Sequence, residues 1–340
     1  MSGVIRRHFC LHRRYGNCRR CGRVYVIIFD DFFGEDETVI ALEQKAAALF
    51  GKEAGLFCPS GTMTNQIAVK AHTQAGDEVI CDKLSHIYIY EGGGIASNAL
   101  ASVALIEGDR GRFTPEQVLE NIRKEDIHFP RTSLVSIENT VNRGGGAYWN
   151  INEIKKIAFV CTENKLQFHL DGARIFNALI ASNETAKNMG EQFDSISVCL
   201  SKGLGAPVGS VLLGTTDFIQ KARRTRKVFG GGMRQAGYLA AAGIYALDNN
   251  INRLKDDHLK AKQLEETLNK LPFIEKIYPV ETNIVLFTMP TANDAQQFIG
   301  KLAANNIKAI TVGKSDVRFV THLDFTDEML EKVLNTIKKI

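Results

Sequence analysis

The sequence predicts an α/β fold: a large domain built on a mainly parallel sheet, followed by a smaller α+β unit. Three observations lead there. From about residue 37, short β-branched-rich runs alternate with amphipathic stretches, the order that builds a parallel sheet covered on both faces. After about residue 250 the texture changes to a long charged helix followed by strands and two further helices. With 340 residues, 44% hydrophobic and 24% charged, the chain can bury one large core and a smaller one. No apolar run is long enough for a membrane helix. The start is too Arg-rich for a secretory signal, so a cytoplasmic location is expected.

Residues 1–29 stand apart. Arg6, Arg7, Arg13, Arg14, Arg19, Arg20 and Arg23 crowd a stretch without an acid. This leader is expected to be disordered or mistranslated, in preference to a nucleic-acid-binding arm. Cys18 and Cys21 form a CRRC pair with no second CxxC, so no metal site is expected. Cys58, Cys81, Cys161 and Cys199 lie in apolar contexts and read as small core residues. Residues 30–250 form the expected large domain. TVIALEQKAAALFG is an amphipathic helix with Val39, Leu42, Ala46 and Leu49 on one stripe, ended by Gly51. GLFCPS is a short buried element, and TMTNQIAVKAHTQAG is the next helix. DEVICD, SVALIEG, SLVSIEN, QFHLD, SISVCLS and GSVLLG read as strands, with INEIKKIAFVCTENK and DFIQKARRTRKV among the helices between them. Residues 251–340 form the small domain, opened by the charged helix INRLKDDHLKAKQLEETLNKL. No Pro-rich linker separates the two, which places a site between them.

Several residues carry chemistry. Lys202 ends the apolar run VCLS and precedes the glycine-rich GLGAPVG, which suggests a buried amine with room for a flat ring beside it. Asp171 ends the strand QFHLD; taken alone it would be an N-cap for the following helix. Ser60, Gly61 and Thr62 open a helix whose free N–H groups suit a phosphate, although such a turn is most often only a cap. His86 sits in DKLSHIY, Arg174 in LDGAR and Arg318 in VRFVTHLD. Lys227 and Arg234 flank three glycines in RKVFGGGMRQ, a run that marks a required loop conformation.

Together SGTMTNQ, SHIY, LDGAR, SKGLGAPVGS, GGGMRQ and VRFVTHLD resemble the low-specificity L-threonine aldolases, over roughly residues 30–340. The resemblance implies the aspartate-aminotransferase-like fold type I and the cofactor pyridoxal 5'-phosphate (PLP). It implies that Lys202 binds the cofactor aldehyde and that Asp171 meets the pyridine nitrogen. Arg174 would lie near the ring oxygen. His86 would stack on the ring and act as base toward the substrate β-hydroxyl, and Gly61 and Thr62 would cradle the phosphate. Lys227 and Arg234 would help hold phosphate or substrate in sites shared between subunits of a homodimer or homotetramer. Arg318 would clamp the substrate carboxylate, with help from Arg174. The implied reaction is retro-aldol cleavage of L-threonine or L-allo-threonine to glycine and acetaldehyde. The alternatives are a β-eliminating lyase, or a PLP-binding homologue impaired by its N-terminus.

Two departures are visible. The family's RSDT motif lies in a leader for which residues 1–29 offer no counterpart, while the following segment survives as DDFFGEDET. The family pattern ENTHN reads ENTVN here, with Val141 where a second active-site histidine is expected. Valine neither hydrogen-bonds nor moves a proton.

Overall fold

The computed structural model describes residues 30, 31 and 34–340, together with the backbone of two short strands, β1 (Gly16–Asn17) and β2 (Val24–Tyr25), which pair antiparallel. The remaining expectations for residues 1–29, including Cys18 and Cys21, lie outside the described residues.

The large domain runs through α1 (Glu37–Phe50), β3 (Ala54–Cys58), α2 (Gly61–His72), β4 (Glu78–Asp82), α3 (His86–Ile89), β5 (Ser102–Ile106), α4 (Pro115–Asn121) and β6 (Thr132–Glu138). It continues with α5 (Ile151–Glu163), β7 (Gln167–Gly172), α6 (Ile175–Ser182), α7 (Ala186–Gly190), β8 (Ser195–Cys199), β9 (Ser210–Gly214), α8 (Thr216–Val228) and α9 (Gly237–Asn249). The small domain holds α10 (Leu254–Leu268), β10 (Lys276–Ile277), β11 (Ile284–Thr288), α11 (Ala292–Ala304), β12 (Ile310–Thr311), β13 (Asp316–Val320) and α12 (Asp327–Ile337).

Local chemistry explains the helix ends. Asp36 caps α1 by accepting from the N–H groups of Thr38 and Val39 at 3.0 and 3.2 Å. Gly51 ends it in the left-handed region at φ 65°, where a Cβ is unwelcome. Ser60 caps α2 through Met63 N–H.

The large sheet has the order β3-β9-β8-β7-β6-β4-β5. Strands β8, β7, β6, β4 and β5 are parallel, and β9 runs antiparallel to both of its neighbours. The small sheet, β10-β11-β13-β12, is antiparallel throughout. The sequence does not announce β12, which is only two residues long. The four cysteines named above are buried, and desolvation pushes the thiols of Cys58, Cys81 and Cys161 up to about 12, which leaves them unreactive.

Side-chain alternation divides the central strands into two unlike faces. Val135, Ile137, Phe168, Leu170, Ile196 and Val198 join the main apolar core with residues of α1, α5 and α9. The residues between them, Ser136, Glu138, His169, Asp171, Ser195 and Ser197, are no more than 3% exposed yet polar. Helix α2 lies over this second face and brings its own buried Thr64, Asn65 and Gln66 to it.

Candidate active site

The carboxyl ends of parallel strands are where open α/β sheets place their ligands. Glu138 closes β6, Asp171 stands at the end of β7 directly beside it, and Lys202 follows β8. Asp171 is held from two sides: Oδ2 accepts from Asn65 Nδ2 at 2.9 Å, and Oδ1 accepts from Ala173 N–H at 3.1 Å. Asn65 Nδ2 also donates to Glu91 Oε1 at 2.9 Å, and Gln66 Nε2 donates to Glu91 Oε2 at 2.5 Å.

Glu91 in turn pairs with His86 Nδ1 at 2.9 Å. That hydrogen bond, aided by the charges of Asp171 and Glu138, raises the His86 imidazole above its ordinary range against the opposing effect of burial. Nδ1 is thereby occupied, and His86 Nε2 has no hydrogen bond among the described residues. His86, Glu91 and Asp171 bring ligand-type atoms within 4.8 Å of one another, and their hydrogen bonds to one another and to Asn65 account for that closeness.

Glu138 is buried beneath this group. Its oxygens accept from the backbone N–H groups of His86 and Asn142, each at 2.9 Å. Desolvation, and then the neighbouring Asp171 charge, push its carboxyl up to about 7. Asn142 continues the line outward, because its Oδ1 accepts from Arg318 Nη1 at 2.7 Å. Arg318 Nε is buried and has no hydrogen-bond partner among the described residues. Desolvation lowers both Arg318 and Arg174 below the usual guanidinium range, and each feels the other's charge or that of Arg143.

Lys202 departs from expectation. It is exposed, not buried. The turn after β8 carries it beyond the carboxyl end of the strand into a pocket of about 400 Å³ between the domains, lined by Arg174, Lys202 and Gly205 on one side and Asn283, Val320 and His322 on the other. At the same end of the sheet, α2 presents Gly61 and Thr62. A Cβ at Gly61 would lie 3.4 Å from Ser210 Oγ, a fully buried hydroxyl with no hydrogen-bond partner among the described residues.

Of the expected site residues only Arg174 and Lys202 line the Lys202 pocket; Asp171, His86, Arg318, Gly61, Thr62, Lys227 and Arg234 do not. Lys227 and Arg234 are exposed, and Arg234 pairs with Asp30 at 2.8 Å. Val141 is fully buried in the main core, beside Gly111 and Gly144. Upstream, Asp31 lies 3.0 Å from Arg226, whose Nη1 donates to Phe57 O at 2.6 Å. The Asp31 contact is an ion pair without directed hydrogen-bond geometry, and burial raises the Asp31 carboxyl.

Sequence reasoning missed Asn65, Glu91, Glu138 and Asn142. Glu138 carried the same signal as Asp171, an acid ending an apolar strand. Glu91 lies within an irregular stretch, where no periodicity points to it.

The beta-eliminating lyase family matches residues 25–292. A probable low-specificity L-threonine aldolase 2 of Arabidopsis thaliana is 40% identical over 92% of this chain and 90% of its own length. The low specificity L-threonine aldolase of Escherichia coli (strain K12) is 40% identical over 89% of each chain. Among solved structures, the threonine aldolase of Leishmania major superposes with a TM-score of 0.77 at 21% identity, over 91% of this chain and 90% of that one, a likeness of fold.

Proposed function

The chain belongs to the beta-eliminating lyase family, with low-specificity L-threonine aldolases among its relatives, and on that premise we propose that it uses PLP to cleave L-threonine or L-allo-threonine to glycine and acetaldehyde. One observation carries the reading: Asp171, Glu91 and His86 converge through Asn65 at the strand ends where the Lys202 turn begins.

The residues present fit the cofactor. Asp171 offers a buried, firmly held carboxylate to a protonated pyridine nitrogen, and Lys202 offers an amine to the aldehyde. The N-terminus of α2 at Gly61 and Thr62, beside a Ser210 hydroxyl that has no partner among the described residues, suits a phosphate. Arg174 would stand near the ring oxygen. When bound, PLP supplies an electron sink for breaking a bond next to the amino-acid nitrogen.

The chain's own residues do the rest. The Nε edge of Arg318 takes the substrate carboxylate in bidentate fashion, while Asn142 holds the opposite nitrogen and fixes the fork's angle. Arg174, which lines the Lys202 pocket and is close enough to Arg318 for their charges to interact, adds a second positive charge for the substrate carboxylate. His86 takes the β-hydroxyl proton at Nε2, because Glu91 engages Nδ1 and so fixes the tautomer, the logic of a base oriented by a carboxylate. Lys227 and Arg234 are exposed, as cations that reach a neighbouring subunit's site in a homodimer or homotetramer would be.

The test is direct. Purified protein supplemented with PLP should gain a visible absorbance band that borohydride removes. Lys202→Ala should lack both the band and threonine cleavage. A Lys202→Ala protein that still cleaves threonine at a substantial rate would overturn the assignment.

A further inference from the structure

Behind Asp171 runs a chain of polar side chains that the proposed reaction does not use. Asn65 Oδ1 faces His169 Nε2 at 3.3 Å. His169 Nδ1 meets Ser195 Oγ at 2.8 Å, and Ser195 Oγ meets His72 Nε2 at 2.7 Å. Asp171, Asn65, His169 and Ser195 are each no more than 2% exposed. His169 and Ser195 are register partners on adjacent strands, and Asn65 and His72 lie seven residues apart on one face of α2.

One assignment of hydrogens satisfies each of these side-chain contacts. Asp171 and Glu91 are acceptors, so Asn65 must turn its NH2 toward them and its carbonyl toward His169. That carbonyl needs a donor, so His169 carries its proton on Nε2. A neutral imidazole then has a bare Nδ1, which accepts from the Ser195 hydroxyl. Ser195 Oγ accepts in turn from His72 Nε2–H. Burial favours neutral imidazoles at both positions, lowering His169 to about 3 and His72 to about 4. Turning the Asn65 amide over would bring its oxygen against two carboxylates and leave His169 Nε2–H facing an NH2 group.

We infer that His72, Ser195 and His169 form a positioning chain that fixes the Asn65 amide, so that its NH2 is held on both Asp171 and Glu91. The chain thereby sets the two carboxylates with separate tasks: Asp171 toward the pyridine nitrogen and Glu91 toward His86. It orients without conducting, because a neutral amide does not relay protons. The inference rests on the PLP reading of Asp171.

Nitrogen-15 NMR of the histidine rings in the cofactor-free wild-type protein reads the chain without any variant. His169 should show the proton on Nε2 and a bare Nδ1. A proton on Nδ1, or on both nitrogens, at neutral pH would overturn the inference. PLP dissociation constants, measured by fluorescence, give a second reading. Asn65→Asp keeps the shape but removes the donors, and should weaken PLP binding about tenfold or more, the loss of a hydrogen bond to a charged group. Ser195→Ala frees the His169 tautomer and should weaken it by a smaller factor. Wild-type binding in both variants would overturn the positioning role; should either variant fail to fold, the NMR result on the native protein decides. Wild-type protein that takes up no PLP would instead overturn the reading of Asp171, and with it the clause that rests on it.

Discussion

The two faces of strands β6, β7 and β8 are built from alternate residues of the same three segments, yet they share almost nothing chemically. On one face, Val135, Ile137, Phe168, Leu170, Ile196 and Val198 pack into the main core. On the other, Ser136, Glu138, His169, Asp171, Ser195 and Ser197 are equally buried but polar, and all but Ser136 take part in side-chain hydrogen bonds among the described residues. Burying apolar area stabilises; burying carboxylates and imidazoles costs free energy that hydrogen bonds only partly offset. The first face is where the strands gain stability. The second is where some of it is given up to hold the constellation to which we assign the chemistry.

Neighbouring residues can break that division. The largest effect is expected from Asp171→Ala, which should abolish detectable threonine cleavage and PLP retention while the thermal midpoint stays near wild type. Leu170→Ala, one residue away but facing the core, should do the opposite. A fully buried leucine truncated to alanine costs about 2–5 kcal/mol, and the folded fraction should keep its kcat/KM. Chemical denaturation and steady-state kinetics on the pair would show whether the faces are separable. Loss of stability in the Asp171 variant, or loss of activity in folded Leu170 variant, would erase the distinction.

The next effect sharpens the polar side. Arg318→Lys replaces a fork with a point charge, and should raise KM for threonine about 10–100-fold, the worth of a charged hydrogen bond, with PLP affinity unchanged. If PLP affinity falls and KM holds, Arg318 serves the phosphate instead.

The smallest effect is in the pH dependence of stability, where the sign differs from group to group. Glu138 is raised from 4.5 to about 7, so the folded protein binds a proton that the unfolded chain releases. Its contribution is full below pH 4.5 and is lost as pH rises through about 7, on the order of 3 kcal/mol. His72 and His169 are lowered from 6.5 to about 4 and about 3, so theirs is present above pH 6.5 and lost as pH falls through those values. Thermal midpoints across pH should therefore decline on both sides. Glu138→Gln should flatten the alkaline slope and His72→Phe the acid one. An unchanged alkaline slope in Glu138→Gln would show that another group carries it.

The same alternation explains how much was legible in the sequence. QFHLD and SISVC read as buried strands because their core-facing residues are apolar, and this sufficed for the sheet, its parallel part and the two-domain order. The glycine and proline punctuation around Lys202 marked its turn, but not that the turn lifts the amine into an open interdomain pocket. Asp171 was legible as an acid at a strand end. Asn65 and Glu91 were not, since Asn65 looks like an ordinary helix residue until β7 is placed beneath it, 106 positions later in the chain. Such long-range partnerships leave no local trace. Val141 was legible as a substitution, and the structure adds that its side chain is packed into the core.

The most direct measurement is the product of threonine turnover. Purified, PLP-supplemented protein incubated with L-threonine and with L-allo-threonine should release glycine and acetaldehyde in equal amounts. Release of a keto acid and ammonia would contradict retro-aldol cleavage in favour of β-elimination, and PLP-loaded protein that forms neither pair of products would contradict an active site on the polar face of the sheet.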